Sequence, residues 1–168
     1  MRLSLALASY AVICACPANA WHASEQTNLL QQREAVAELT APPDRPGAFL
    51  RYSCSVFSGP QLQIGFGPLG FEAFTKFSAD RASATPETVS IRLETAPPQT
   101  VLDVVAEPDA AAGTQEIYTA KGTDAGRAAE ALASAQSIIV TVGGQVLRWP
   151  NAPSPEPLKQ ALAQCPFR

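Results

Sequence analysis

The chain has 168 residues, 46% of them apolar and 16% charged, with a formal charge of -3. Without its first twenty residues it has the length of one ordinary domain, which excludes a large multidomain enzyme yet suffices for a real core. The mild acidity and the lack of any run of like charge exclude a nucleic-acid binder, whose footprint would be a basic patch or stripe.

Residues 1–20 carry Arg2, an apolar run from Leu3 to Cys16, and the small residues Ala18-Asn19-Ala20. That order is the pattern of a secretory signal peptide, with the mature chain starting at Trp21. A membrane span needs about 20 apolar residues, and this run is shorter and broken at Pro17. The competing reading is lipid attachment at Cys16, because Ile13-Cys14-Ala15-Cys16 loosely resembles a lipobox. Either way the protein is expected in the periplasm or outside the cell. No later segment is apolar enough to span a membrane.

Residues 24–39 read as a helix with Leu29, Val36 and Leu39 on one edge and Ser24 or Thr27 as its cap. Residues 41–47, rich in proline, then break the chain. An N-terminal helix and linker over 21–47 would thus precede a domain over 48–168. Strands are expected at 48–57 and 61–66, with Tyr52, Cys54 and Val56 on one face. A short helix fits 71–77. Val89, Ile91 and Leu93 alternate with polar neighbours as in a half-buried strand, and further strands fit 101–105 and 115–120. Residues 124–135 are a helix with Ala125, Ala128, Ala129 and Leu132 on one face. Ser137–Val142, a Gly143-Gly144 turn and Gln145–Trp149 form a β-hairpin. Ser154 caps a last helix with proline in its first turn, on which Leu158, Ala161, Leu162 and Cys165 share a stripe. The fold class is α+β: an antiparallel sheet with two or three packed helices.

Of four cysteines, Cys14 and Cys16 fall in the signal. Cys54 and Cys165 remain, both facing inward, and an even pair in an exported chain reads as a disulfide. The loop it closes makes it worth about 4–5 kcal/mol in the chain-entropy model. The mature chain has no C-x-x-C for redox work.

Little else carries chemistry. Gly65-Phe66-Gly67-Pro68-Leu69-Gly70 matches G-x-G-x-x-G, but Pro68 interrupts it and its surroundings are antiparallel, so the glycines read as a turn or bulge and not as a dinucleotide site. His22 is the only histidine. With a free amine at Trp21 it could chelate copper, although a frayed terminus with an incidental histidine is the preferred reading; no metal and no cofactor are expected. One histidine leaves no triad or Cys–His dyad in the body of the domain. The carboxylates Glu72, Glu87, Glu94, Asp103, Glu107, Glu116 and Glu130 are dispersed, and no two stand as an acid–base pair. No catalytic residue is therefore nominated.

Phe71, Phe74 and Phe77 recur every three residues. As core they need no further reading; as an exposed stripe they would bind a partner. Trp149 raises the same question, with Arg148 beside it. These five residues are the candidate partner-binding set.

The alanine–leucine helix, the Ser137–Val142 strand, the Gly-Gly turn, the aromatic-ended return strand and the helix ending in Cys165 resemble small exported alphaproteobacterial envelope proteins, relatives of the invasion-associated locus B family. The resemblance covers about residues 125–165 plus Cys54, and implies an envelope protein without known catalytic residues. The resulting expectation is a non-catalytic protein that binds a protein or cell-envelope component. The alternatives are an inhibitor of a secreted hydrolase and a small hydrolase with dispersed carboxylates.

Overall fold

The computed structural model describes residues 20–27, 33–40, 42, 45–68, 79, 89–96, 99–108, 115–142, 144–151 and 154–167. Among these residues nine strands form one antiparallel sheet: β1 (Trp21–Thr27), β2 (Arg33–Leu39), β3 (Ala48–Ser55), β4 (Gly59–Pro68), β5 (Val89–Ala96), β6 (Thr100–Pro108), β7 (Gln115–Lys121), β8 (Ser137–Val142) and β9 (Gln145–Trp149). Their spatial order is β1-β2-β3-β4-β7-β6-β5-β8-β9. Among the described residues, two helices, α1 (Gly122–Leu132) and α2 (Glu156–Gln164), join the sheet in an α+β fold.

The sheet is two half-sheets joined by a narrow seam. Among the described residues, β6 and β7 pair at Glu107–Thr119 and Pro108–Tyr118 alone. Beyond Lys121 the chain turns into α1, so β6 loses its neighbour there. The Asp124 carboxylate in the first turn of α1 accepts the Val105 N–H at 3.5 Å, beside the end of that pairing. The sheet curls so far that the Trp149 indole N–H at the far edge donates to the Thr40 carbonyl after β2, at 3.1 Å.

One core fills the curl. β2 and β3 contribute Ala35, Ala37, Leu39, Leu50, Tyr52 and Cys54; β5, β8 and β9 contribute Ile91, Leu93, Ile138, Val140, Leu147 and Trp149. α1 packs Ala125, Ala128, Ala129 and Leu132 against β4, β6 and β7, because alanine permits close approach of a helix to a sheet. α2 buries Leu158 and Ala161 against β1, β2 and β3, with Leu162 half-buried. It begins at Glu156 with no side-chain cap, and Pro157 rather than Ser154 marks its first turn.

Three expectations are corrected. The helix over 24–39 is instead the β1–β2 hairpin, in register from Trp21–Leu39 to Thr27–Arg33. Its alanines favour a helix locally, but Ala35, Ala37 and Leu39 alternate inward against Cys54, Tyr52 and Leu50, and that pairing overrides propensity. Residues 21–39 therefore belong to the same sheet as the rest, not to a separate leading segment. The strand expected to reach residue 57 stops at Ser55, so Val56 leaves the face of Tyr52 and Cys54. The expected helix at 71–77 lies outside the described residues.

The glycine-rich match resolves as a bulge: the β4–β7 register shifts between Gly65 and Pro68, and Gly67 has φ +87. A Cβ on Gly65 would run into the Phe49 ring.

Candidate functional site

Cys54 and Cys165 are bonded, with their Cα atoms 5.5 Å apart, so the end of β3 and the end of α2 meet. Immediately past Cys54 the chain turns. The Ser55 Oγ accepts the Ser58 N–H at 3.1 Å and lies 2.7 Å from the Ser58 Oγ. Serine oxygens that capture local N–H groups offer the backbone an alternative to the ladder, which is why the strand ends here. The polar groups of the turn thus bond one another, and its two apolar side chains point out. Val56 is 58% exposed and Phe57 69%. Two residues past Cys165, Phe167 is 51% exposed. The disulfide thereby brings together two chain segments that each expose a ring.

Beside the disulfide lies an open groove of about 380 Å³, with Ala35, Cys54, Val56 and Pro166 as apolar lining and Glu25, Arg33, Glu34 and Gln164 as polar lining. None of these three charges makes an ion pair among the described residues. A rigid turn, an apolar floor and unpaired charges are what a recognition surface needs: aromatic anchors supply area, and a polar rim supplies orientation. The other exposed large apolar side chains among the described residues, Val101 and Val105, flank exposed Asp103 on β6.

Between β7, the middle strand, and the start of β9 is a buried polar cluster. Glu116 on β7 is 8% exposed. Its carboxylate accepts from the Gln145 side-chain amide at 2.9 and 2.8 Å and from the Tyr118 hydroxyl at 2.9 Å. The Tyr118 ring meets Phe66 edge-on, with centroids 6.2 Å apart. These bonds tie β7 to the start of β9 and make Glu116 a polar strut between the two strands.

The candidate residues separate. Cys54 and Cys165 form the disulfide. Trp149 is 1% exposed, so its ring is core and not a surface for a partner; period-two alternation in β9 turns it inward. Arg148, its neighbour, is exposed on the other face. Phe71, Phe74 and Phe77 lie outside the described residues. His22 sits within β1 opposite Glu38 rather than on a frayed end, and is exposed. Among the described residues no three His, Cys, Asp or Glu are grouped to hold a metal, and no helix is long and apolar enough to cross a membrane. Sequence reasoning missed Phe57, whose signal was the Ser-Val-Phe-Ser-Gly turn, and missed the Glu116 cluster.

No family model, no curated protein and no solved structure matches this chain.

Proposed function

We propose that this is a non-catalytic exported protein of the periplasm or envelope that binds a protein or cell-envelope component through the surface at its disulfide. The observation that carries the reading is the joint exposure of Val56, Phe57 and Phe167 on segments tied by Cys54–Cys165. Leaving large apolar side chains in water on a turn next to the disulfide forgoes the burial that stabilises them elsewhere, and aromatic side chains are the residues that dominate binding hot spots. Export rests on the signal-like residues 1–20 and on the disulfide, which persists in oxidising compartments. The resemblance to envelope proteins related to invasion-associated locus B supports the same class. The rigid, outward Val56-Phe57 turn also suits the second reading, an inhibitor that offers this turn to a secreted hydrolase.

The test is site-specific photocrosslinking in envelope extract. A benzoylphenylalanine at position 57 should capture a discrete partner, and the same probe at exposed Arg92 should not. Equal capture at both positions, or at neither, contradicts the reading. Turnover of a peptidoglycan substrate that is lost in Glu116→Gln would replace it with the hydrolase.

A further inference from the structure

The two outer strands of the sheet are finished differently. β9 is followed at once by Pro150, and its last residue, Trp149, is bonded to Thr40. β1 has no such device. It pairs with β2 over seven consecutive residues without a bulge, and His22 to Thr27 are all exposed. Natural edge strands are usually blunted by lysine, proline, a bulge or inward charge, because an open row of N–H and C=O groups templates another strand. β1 carries one of these devices, the charge of Glu25 on the face of Ala35, and has no lysine, proline or bulge.

We propose that β1 pairs with β1 of a second copy, antiparallel about a twofold axis at Ser24. An isologous interface needs a self-complementary strip, and this register supplies one. Trp21 faces the partner's Thr27, His22 faces the partner's Gln26, and Ala23 faces the partner's Glu25. No like charges stand opposite each other. Centring the axis on Glu25 would oppose two carboxylates, which is unfavourable across a strand pair.

A second observation points to the same register. Between β1 and α2 is an open cavity of about 210 Å³, lined by Ala23, Ser24, Glu25, Gln160, Ala161 and Gln164 among others. Ala23 leaves this space because its side chain ends at Cβ. In the Ser24-centred pair, the partner's Glu25 stands directly over Ala23, on the face that α2 covers. Gln160 and Gln164 carry side-chain N–H donors able to meet that carboxylate. The twofold repeats the contact, so two cavities are filled at once. The strip shares Glu25 and Gln164 with the groove beside the disulfide but not Val56, Phe57 or Phe167, so the variants of Ser24 and Gln26 test the dimer and those of Phe57 test the proposed function.

Sedimentation equilibrium of the mature chain at about 100 µM should give the mass of two chains. Ser24→Lys sets two ammonium groups on the axis and should weaken association at least about tenfold, with the circular dichroism spectrum unchanged. Ser24→Cys should oxidise to a covalent dimer, since residues opposite one another on antiparallel strands have Cα atoms about 4.5–5.5 Å apart, within disulfide range. Gln26→Cys should not, because the two copies of that residue would lie about 13 Å apart along the strands. A monomeric mass at this concentration overturns the proposal. So does cross-linking of Gln26→Cys as readily as Ser24→Cys.

Discussion

Each edge strand buries one tryptophan, and the two indoles are served differently. Trp149 on β9 is 1% exposed and its N–H donates to Thr40. Trp21 on β1 is 4% exposed and its N–H has no partner among the described residues. The surroundings differ in the same sense. The β8–β9 hairpin sends Ile138, Val140, Val142, Leu147 and Trp149 into the core, whereas β1 sends only Trp21. Burial fixes one edge as structure. The other is held by its ladder to β2 and by α2, and its exposed side is free to meet something else.

The comparison is broken most directly by replacing each indole with a phenyl ring. Trp149→Phe removes the N–H that bonds the Thr40 carbonyl and should cost about 1–3 kcal/mol, as the loss of one partner of a buried hydrogen bond does. Trp21→Phe keeps most of the volume and removes an unpaired donor, so it should cost less than about 1.5 kcal/mol. Urea denaturation of the two variants decides; equal losses would mean that both edges are core in the same way.

The disulfide anchors the β1 side of the molecule through α2. Cys54→Ala should lower stability by about 2–5 kcal/mol and speed proteolysis. Two titratable thiols in the folded chain from Trp21 onward, which holds only Cys54 and Cys165, or an unmoved melting temperature, would contradict the bond. On the β9 side, Gln145→Ala strips two hydrogen bonds from buried Glu116 and leaves Tyr118 as its donor. The expected cost is about 1–3 kcal/mol, read by the same denaturation.

The smallest expected effect is a pH dependence. Burial raises the Tyr52 hydroxyl above its ordinary value of 10.0, and the nearby Glu130 charge adds to the rise. The folded state thus keeps its proton at pH values where the unfolded chain has lost it. That contribution is complete below pH 10.0 and is lost as pH rises through the folded value. Tyr52→Phe should remove this part of the alkaline loss and leave the acid limb of the stability curve unchanged.

The same contrast explains what was legible in the sequence. The β8–β9 hairpin is apolar, alternating and joined at Gly-Gly, so its register and inward residues follow from the pattern. α1 is as plain: Ala125, Ala128, Ala129 and Leu132 are the residues it buries. β1 and β2 were not legible, because Ala35 and Ala37 alternate inward without the bulk that marks a strand, while β1 turns only Trp21 inward and the neighbouring residues favour a helix. The disulfide was visible from the signal-like residues 1–20, the even cysteine count after them and the inward facing of Cys54 and Cys165. The Glu116 cluster was not, since Gln145 lies 29 residues away and only the curl of the sheet brings it close. Trp149 was ambiguous for the opposite reason: an aromatic before a proline looks like a surface ring until the return of β9 to Thr40 is known.

The central claim is that the exposed rings at the disulfide end serve binding and not stability. Phe57→Ser, melted and assayed for partner capture from envelope extract, tests it in one variant. At 69% exposure, Phe57 should change stability by no more than about 0.5 kcal/mol on replacement, as surface sites do. Capture should fall at least about tenfold, the scale of an aromatic hot spot. Unchanged capture with an unchanged melting temperature would contradict the account, and so would a large loss of stability.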